Sequence, residues 1–131
     1  MCWILYITSD LMTDLIACLS IGKGTWGHVS RVIDAQEWRM VFLITNDFGK
    51  EKFSSSKSNI ELIVVDSRQD LKTLIEEIKT KLKDKPEGPE VALNLASGDG
   101  KEHMALLSAI MQLGLSFRLV ALAKDGYLEM S

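Results

Sequence analysis

Two glycine-bearing turns carry most of the chemistry that this sequence offers. The second, Asn94-Leu95-Ala96-Ser97-Gly98-Asp99-Gly100-Lys101-Glu102-His103-Met104, lies between Val91-Ala92-Leu93 and Ala105-Leu106-Leu107-Ser108-Ala109-Ile110-Met111. The first run suits a buried strand and the second a helix, so the stretch reads as a strand-to-helix turn. Such a turn can aim backbone N–H groups and a helix N-terminus at an anion. Gly98 and Gly100 let the backbone come close. Ser97 offers a hydroxyl that caps the helix or holds a phosphate oxygen, and Asp99 reads as a turn residue or cap. Lys101 adds a positive charge at the helix start, where the macrodipole disfavours a cation. A lysine placed there makes sense if an anion binds.

The first turn is Ser20-Ile21-Gly22-Lys23-Gly24-Thr25-Trp26-Gly27. It lacks the spacing of a Walker loop and the third glycine of a dinucleotide fingerprint, so neither ATP hydrolysis nor NAD binding is supported. Ser20, Gly22, Lys23, Gly24 and Thr25 form a small polar loop suited to the other half of a ligand site. Trp26 either packs under a sheet or stacks on a base. Asn46, after a later apolar run, either lines the pocket or caps a helix. His28 and His103 each lie near one turn and read as hydrogen-bonded or exposed residues. Two histidines without clustered carboxylates make no metal site. Lys50, Lys52 and Lys57 read as a solvated face.

The elements that must position these turns are apolar runs. Leu15–Leu19, Met40–Ile44, Ile60–Val65, Val91–Leu93 and Phe117–Leu122 have the continuous apolar character of strands buried on both faces. Val29, Val32 and Ile33 recur at helical spacing, and a short helix is expected around Glu51. Leu71, Leu74, Ile75, Ile78 and Leu82 form the clearest helical stripe, capped by Ser67 or Asp70 and stopped by Pro86-Glu87-Gly88-Pro89. Lys124-Asp125-Gly126 is a turn signal. Strands alternating with helices predict an α/β fold, a Rossmann-like parallel sheet in the order 3-2-1-4-5 with helices on both faces. The chain reverses direction beside strands one and four, so a crevice is expected at their carboxyl ends. The two turns meet there by topology.

The chain has 131 residues, 47% of them hydrophobic and 25% charged, with a net charge of −3, the profile of a globular domain without a basic field for duplex DNA. Residues 14–131 are expected to form a single domain, with residues 1–13 an N-terminal extension or edge strand. No run reaches the length of a membrane-spanning helix. Cys2 and Cys18 lack metal-ligand spacing, and Cys18 falls in an apolar run as a buried free thiol. Sparse cysteines fit a reducing cytoplasm.

The second turn resembles the Asn-Leu-Thr-Gly-Gly-Thr-Lys motif of CARF domains, the CRISPR-associated Rossmann-fold domains. Ser97, Gly98 and Lys101 match, whereas Asp99 and Gly100 stand where a glycine and a threonine are common. Ser20 to Thr25 resembles the family's polar loop after strand one, and the resemblance spans about residues 14–124. It implies binding of cyclic oligoadenylate, usually the tetra- or hexa-adenylate, by a homodimer with the ligand across its two-fold axis. With no effector segment after strand five, it implies a stand-alone member. That member is a metal-independent ring nuclease without a cofactor, a pure sensor, or a regulatory subunit. An unrelated small-nucleotide enzyme using the same crevice is the competing reading. In a ring nuclease a ribose 2′-hydroxyl attacks the adjacent phosphate and displaces the 5′-oxygen. Lys101 would neutralise that phosphate, Ser20, Thr25 and Ser97 would donate hydrogen bonds, and the N–H groups of Gly22, Gly24, Gly98 and Gly100 would complete the cradle.

Overall fold

The apolar runs become strands β1 (Asp14–Leu19), β2 (Val41–Thr45), β3 (Ile60–Val64), β4 (Glu90–Asn94) and β5 (Ser116–Ala123) of one sheet. The computed structural model describes residues 13–20 and 23–130, Lys23 as backbone only. Residues 1–12, Ile21 and Gly22 lie outside it, so the expected N-terminal extension is not described beyond Thr13. A sixth strand, β6 (Gly126–Glu129), follows the Lys124–Asp125 turn and pairs antiparallel with β5. The order is β3-β2-β1-β4-β5-β6, with the first five strands parallel. The expected order therefore holds, extended by one edge hairpin.

The alternation of side chains along β1 builds two cores. Ile16 and Cys18 face a cluster with Phe42, Leu93, Leu106 and Ile110, whereas Leu15, Ala17 and Leu19 face Val29, Val32 and Leu43. Helix α1 (Trp26–Ala35) covers the second face. Helices α3 (Leu71–Leu82) and α4 (Gly100–Gln112) cover the first. The split follows from handedness. The β1-to-β2 crossover moves one way along the sheet, and the β3-to-β4 and β4-to-β5 crossovers move the other way, so their helices fall on opposite faces.

Helix boundaries follow side-chain chemistry. Asp70 caps α3, its carboxylate accepting the Thr73 N–H at 3.3 Å and the Thr73 hydroxyl at 2.6 Å. Those bonds hold the Asp70 carboxyl below its ordinary range, the hydroxyl being the largest cause. The short helix α2 (Asp47–Lys52) starts at Asn46, whose Oδ1 accepts the Gly49 N–H at 3.0 Å. Gly49 lies so close to Thr45 Oγ1 that a Cβ there would collide with it. At the amino-terminal end of β1, buried Asp14 meets Arg39 through two bonds of 2.7 and 3.0 Å and also accepts the Met40 and Glu87 N–H groups. Among the described residues, no helix is long and apolar enough to cross a membrane.

Candidate functional site

Register brings the two turns together. Ala17 pairs with Asn94, so β1 and β4 end side by side. The Ser20 N–H donates to Ser97 Oγ at 2.9 Å and closes the floor between the turns. Above it lies an open crevice of about 390 Å³ lined by Ser20, Gly24, Thr25, Ala96, Gly98, Asp99 and Glu102. Thus Ser20, Gly24, Thr25, Gly98 and Asp99, all expected at the site, do gather there.

Ser20 is held from three sides. Besides its N–H bond, its carbonyl accepts Trp26 Nε1–H at 2.7 Å, and its hydroxyl donates toward both carboxylate oxygens of Glu102, at 3.0 and 3.2 Å. Glu102 is the residue that sequence reasoning passed over. It belongs to a capping box at the start of α4: Asp99 Oδ1 accepts the Glu102 N–H at 2.8 Å, and Glu102 Oε1 accepts the Asp99 N–H at 2.9 Å. The signal was present as an acidic cap followed three residues later by glutamate. The chain's own carboxylates therefore occupy the Asp99 and Glu102 N–H groups at the α4 N-terminus, next to the Gly98 and Gly100 N–H groups that had been expected to receive an anion.

Gly98 is what lets the turn fold back. Its φ of +102° favours glycine, and a Cβ there would lie 3.1 Å from His103 Nε2 and 3.2 Å from Glu102 Oε1. His103 Nε2–H donates to the Ser97 carbonyl at 2.8 Å, so His103 braces the turn. Ser97 is buried and spends its oxygen on Ser20. Asn94, also buried, donates to the Val120 carbonyl at 2.9 Å, and its Oδ1 accepts the Ala96 N–H at 3.3 Å. His28 Nε2 accepts the Leu122 N–H at 3.2 Å, tying α1 to β5.

The remaining expected residues lie elsewhere. Lys101 Nζ donates to the Gln69 carbonyl at 2.7 Å, in the β3–α3 turn. Its field acts there too: Asp66 is held below its ordinary range mainly by hydrogen bonds from Arg68, with Lys101 a smaller cause. Asn46 caps α2 and lines a separate cavity of about 470 Å³ at the ends of β2 and β3, with Phe48, Val65, Arg68 and Lys81. Trp26 packs its ring against Phe48 and Phe53, at centroid distances of 5.8 and 6.1 Å, so its packing follows the core alternative. Gly100 opens α4, and an added Cβ there would meet open space. Among the described residues, no three of His, Cys, Asp and Glu gather at one point to hold a metal ion.

Cys18 lies beneath Gly98 and is 2% exposed. Burial, then the charges of Glu102 and Asp99, push its thiol far above the ordinary range. Since the thiolate is the reactive form, Cys18 in a Cys2→Ser background is expected to resist maleimide in the folded chain and react readily in denaturant. Equal labelling rates in both conditions would contradict this. A scan against protein-family models finds no match, and a search of curated proteins finds no sequence that qualifies as a relative.

Proposed function

We propose that this chain binds a cyclic oligoadenylate, the tetra- or hexa-adenylate of type III CRISPR signalling, at the crevice above β1 and β4, and acts as a sensor. The observation that carries this reading is the convergence of the two turns at the sheet's switch point, joined by the Ser20–Ser97 bond and open above it. Open α/β sheets bind ligands at this position. The resemblance of residues 94–104 to the CARF motif supplies the ligand class. One crevice of about 390 Å³ is small for a ring of four or six nucleotides, which favours a symmetric dimer sharing one ring.

Binding is favoured over cleavage by the environment of Lys101. A ring nuclease needs positive charge on the phosphoryl oxygens as the 2′-hydroxyl attacks. Lys101 donates to the Gln69 carbonyl in the β3–α3 turn and is not among the residues lining the crevice, whose α4 side presents Asp99 and Glu102 instead. Incubation with labelled cyclic tri-, tetra- and hexa-adenylate, followed by chromatography, tests the reading. The expected result is a retained, intact tetra- or hexa-adenylate. Cleaved product would establish the ring-nuclease alternative, and no retention of any ring would overturn the proposal.

A further inference from the structure

We propose that the outer side of α4 and the adjoining side of the β5–β6 hairpin form one apolar face on which a second copy of this chain docks, the two α4 helices lying side by side and running in the same direction. The shared direction rests on the reading that two crevices hold one ring; the face itself does not. Among the described residues four large apolar side chains are exposed: Met104 (55%), Met111 (61%), Leu128 (43%) and Met130 (54%). All four lie on one side of the sheet. Met104 and Met111 belong to α4, which covers that side. Leu128 pairs with Ala121, and the Met130 N–H donates to the Leu119 carbonyl at 2.8 Å. Opposed residues of an antiparallel pair share a side, so Leu128 and Met130 stand with Phe117 and Leu119, which pack into the core beneath α4. Tyr127 points the other way, against Trp38. A single exposed apolar residue is ordinary, whereas four gathered on one side are a surface for contact.

The two strips join along one flank of α4. Lys101 and Gln112 bond Gln69 and Lys79, which fixes the flank turned to α3. Leu107 lies on the other flank, towards the hairpin. The chain passes from β5 directly into β6, so among the described residues no helix covers the sheet there.

Charge selects the occupant. Residues 104–117 carry no charged side chain, whereas α3 exposes Lys72, Glu76 and Lys81. Near a two-fold axis each residue meets its own copy, so any charge there repels itself. An uncharged strip meets that requirement, which a partner of different sequence would not impose. The spacing agrees. Met104, Leu107 and Met111 are separated by three and then four residues, the a–d–a spacing of a two-helix seam. In a parallel seam each of them faces its own copy. Met104 stands one turn into α4, next to the crevice, so a parallel pair brings the two crevices together.

Sedimentation and single-cysteine cross-linking of the full chain test this, the latter in a Cys2→Ser background. The wild type is expected to be a dimer at micromolar concentration without ligand. Met111→Lys, at an exposed position, should keep its circular dichroism and raise the dissociation constant at least about a hundredfold, because it sets two like charges against each other. Lys72→Glu on α3 should leave the dimer unchanged. Met104→Cys and Met111→Cys should each form a disulfide with their own copy under mild oxidation. In an antiparallel pair centred between them, each would lie about 10 Å along the helix from its copy, beyond disulfide reach. A monomeric wild type would leave the face to another occupant, the apolar residues 2–7 or a different protein, and would overturn the proposal. A dimer indifferent to Met111→Lys would overturn it too, and a dimer in which neither cysteine links to its copy would overturn the parallel pairing. Ring retention judges the ligand separately: a dimer that retains no ring keeps this face and loses the cyclic ligand, and a monomer that retains one does the reverse.

Discussion

Arg39→Ala is expected to cost about 3–5 kcal/mol of stability, the usual penalty for stripping one partner from a buried ion pair. The Asp14 side chain is 1% exposed and that of Arg39 is 23% exposed, so the pair is shielded on the acidic side. Two N–H groups, from Met40 and Glu87, also point at the Asp14 carboxylate and would remain after the substitution. They place the expected loss toward the lower end of the range. The Glu87 carboxylate, 3.3 Å from Arg39 but 73% exposed, should contribute much less, about 0–1 kcal/mol. Urea unfolding of Arg39→Ala and Glu87→Ala tests the contrast. A loss below about 1 kcal/mol for Arg39→Ala would mean that the carboxylate finds other partners at this end of β1. The crevice lies at the far ends of β1 and β4, so the substitution separates stability from binding.

Gly98→Ala is expected to lose about 2–4 kcal/mol and to deform the crevice. Two effects add. The φ of +102° is strained for any residue with a Cβ, and that Cβ would crowd His103 Nε2 and Glu102 Oε1. Neither atom can swing away cheaply. His103 Nε2 holds the Ser97 carbonyl, and Glu102 Oε1 holds both the Asp99 N–H and the Ser20 hydroxyl. Gly100→Ala is the matched comparison, because nothing lies within 4 Å of an added Cβ and the position opens a helix. It should be neutral or stabilising by up to about 1 kcal/mol. Thermal midpoints resolve the difference, at about 4 °C per kcal/mol for a domain of this size. Equal midpoints for the two variants would mean that the turn relaxes around a Cβ at Gly98.

Strand order was legible because five apolar runs separated by helical patterns leave few right-handed arrangements, and the convergence of the turns followed from that order. Sequence did not reveal where side chains point within the turns. Lys101 was read as facing a phosphate because it stands at a helix start, but the neighbouring β3–α3 turn supplies a carbonyl that it reaches first. That contact joins residues 32 positions apart and leaves no local mark. Glu102 did leave one, the capping-box spacing from Asp99, and was masked by the glycines around it. β6 escaped because four residues beginning with glycine carry little strand pattern, and pairing with β5 supplies what their composition lacks.

The position of β1 between β2 and β4 also governs when the crevice comes into being. Ile16 pairs with Phe42 on one side and with Leu93 on the other, so the second pairing closes a far longer loop. Longer loops cost more entropy to close, and non-local pairings slow folding. During synthesis the Ser20 side of the crevice is made first, and the wall carrying Gly98 and Glu102 arrives only with β4 and α4. Until that wall docks, Ser20 has neither the Ser97 oxygen for its N–H nor the Glu102 carboxylate for its hydroxyl. The binding crevice is thus a product of the completed fold, and the first half of the chain alone holds one wall of it.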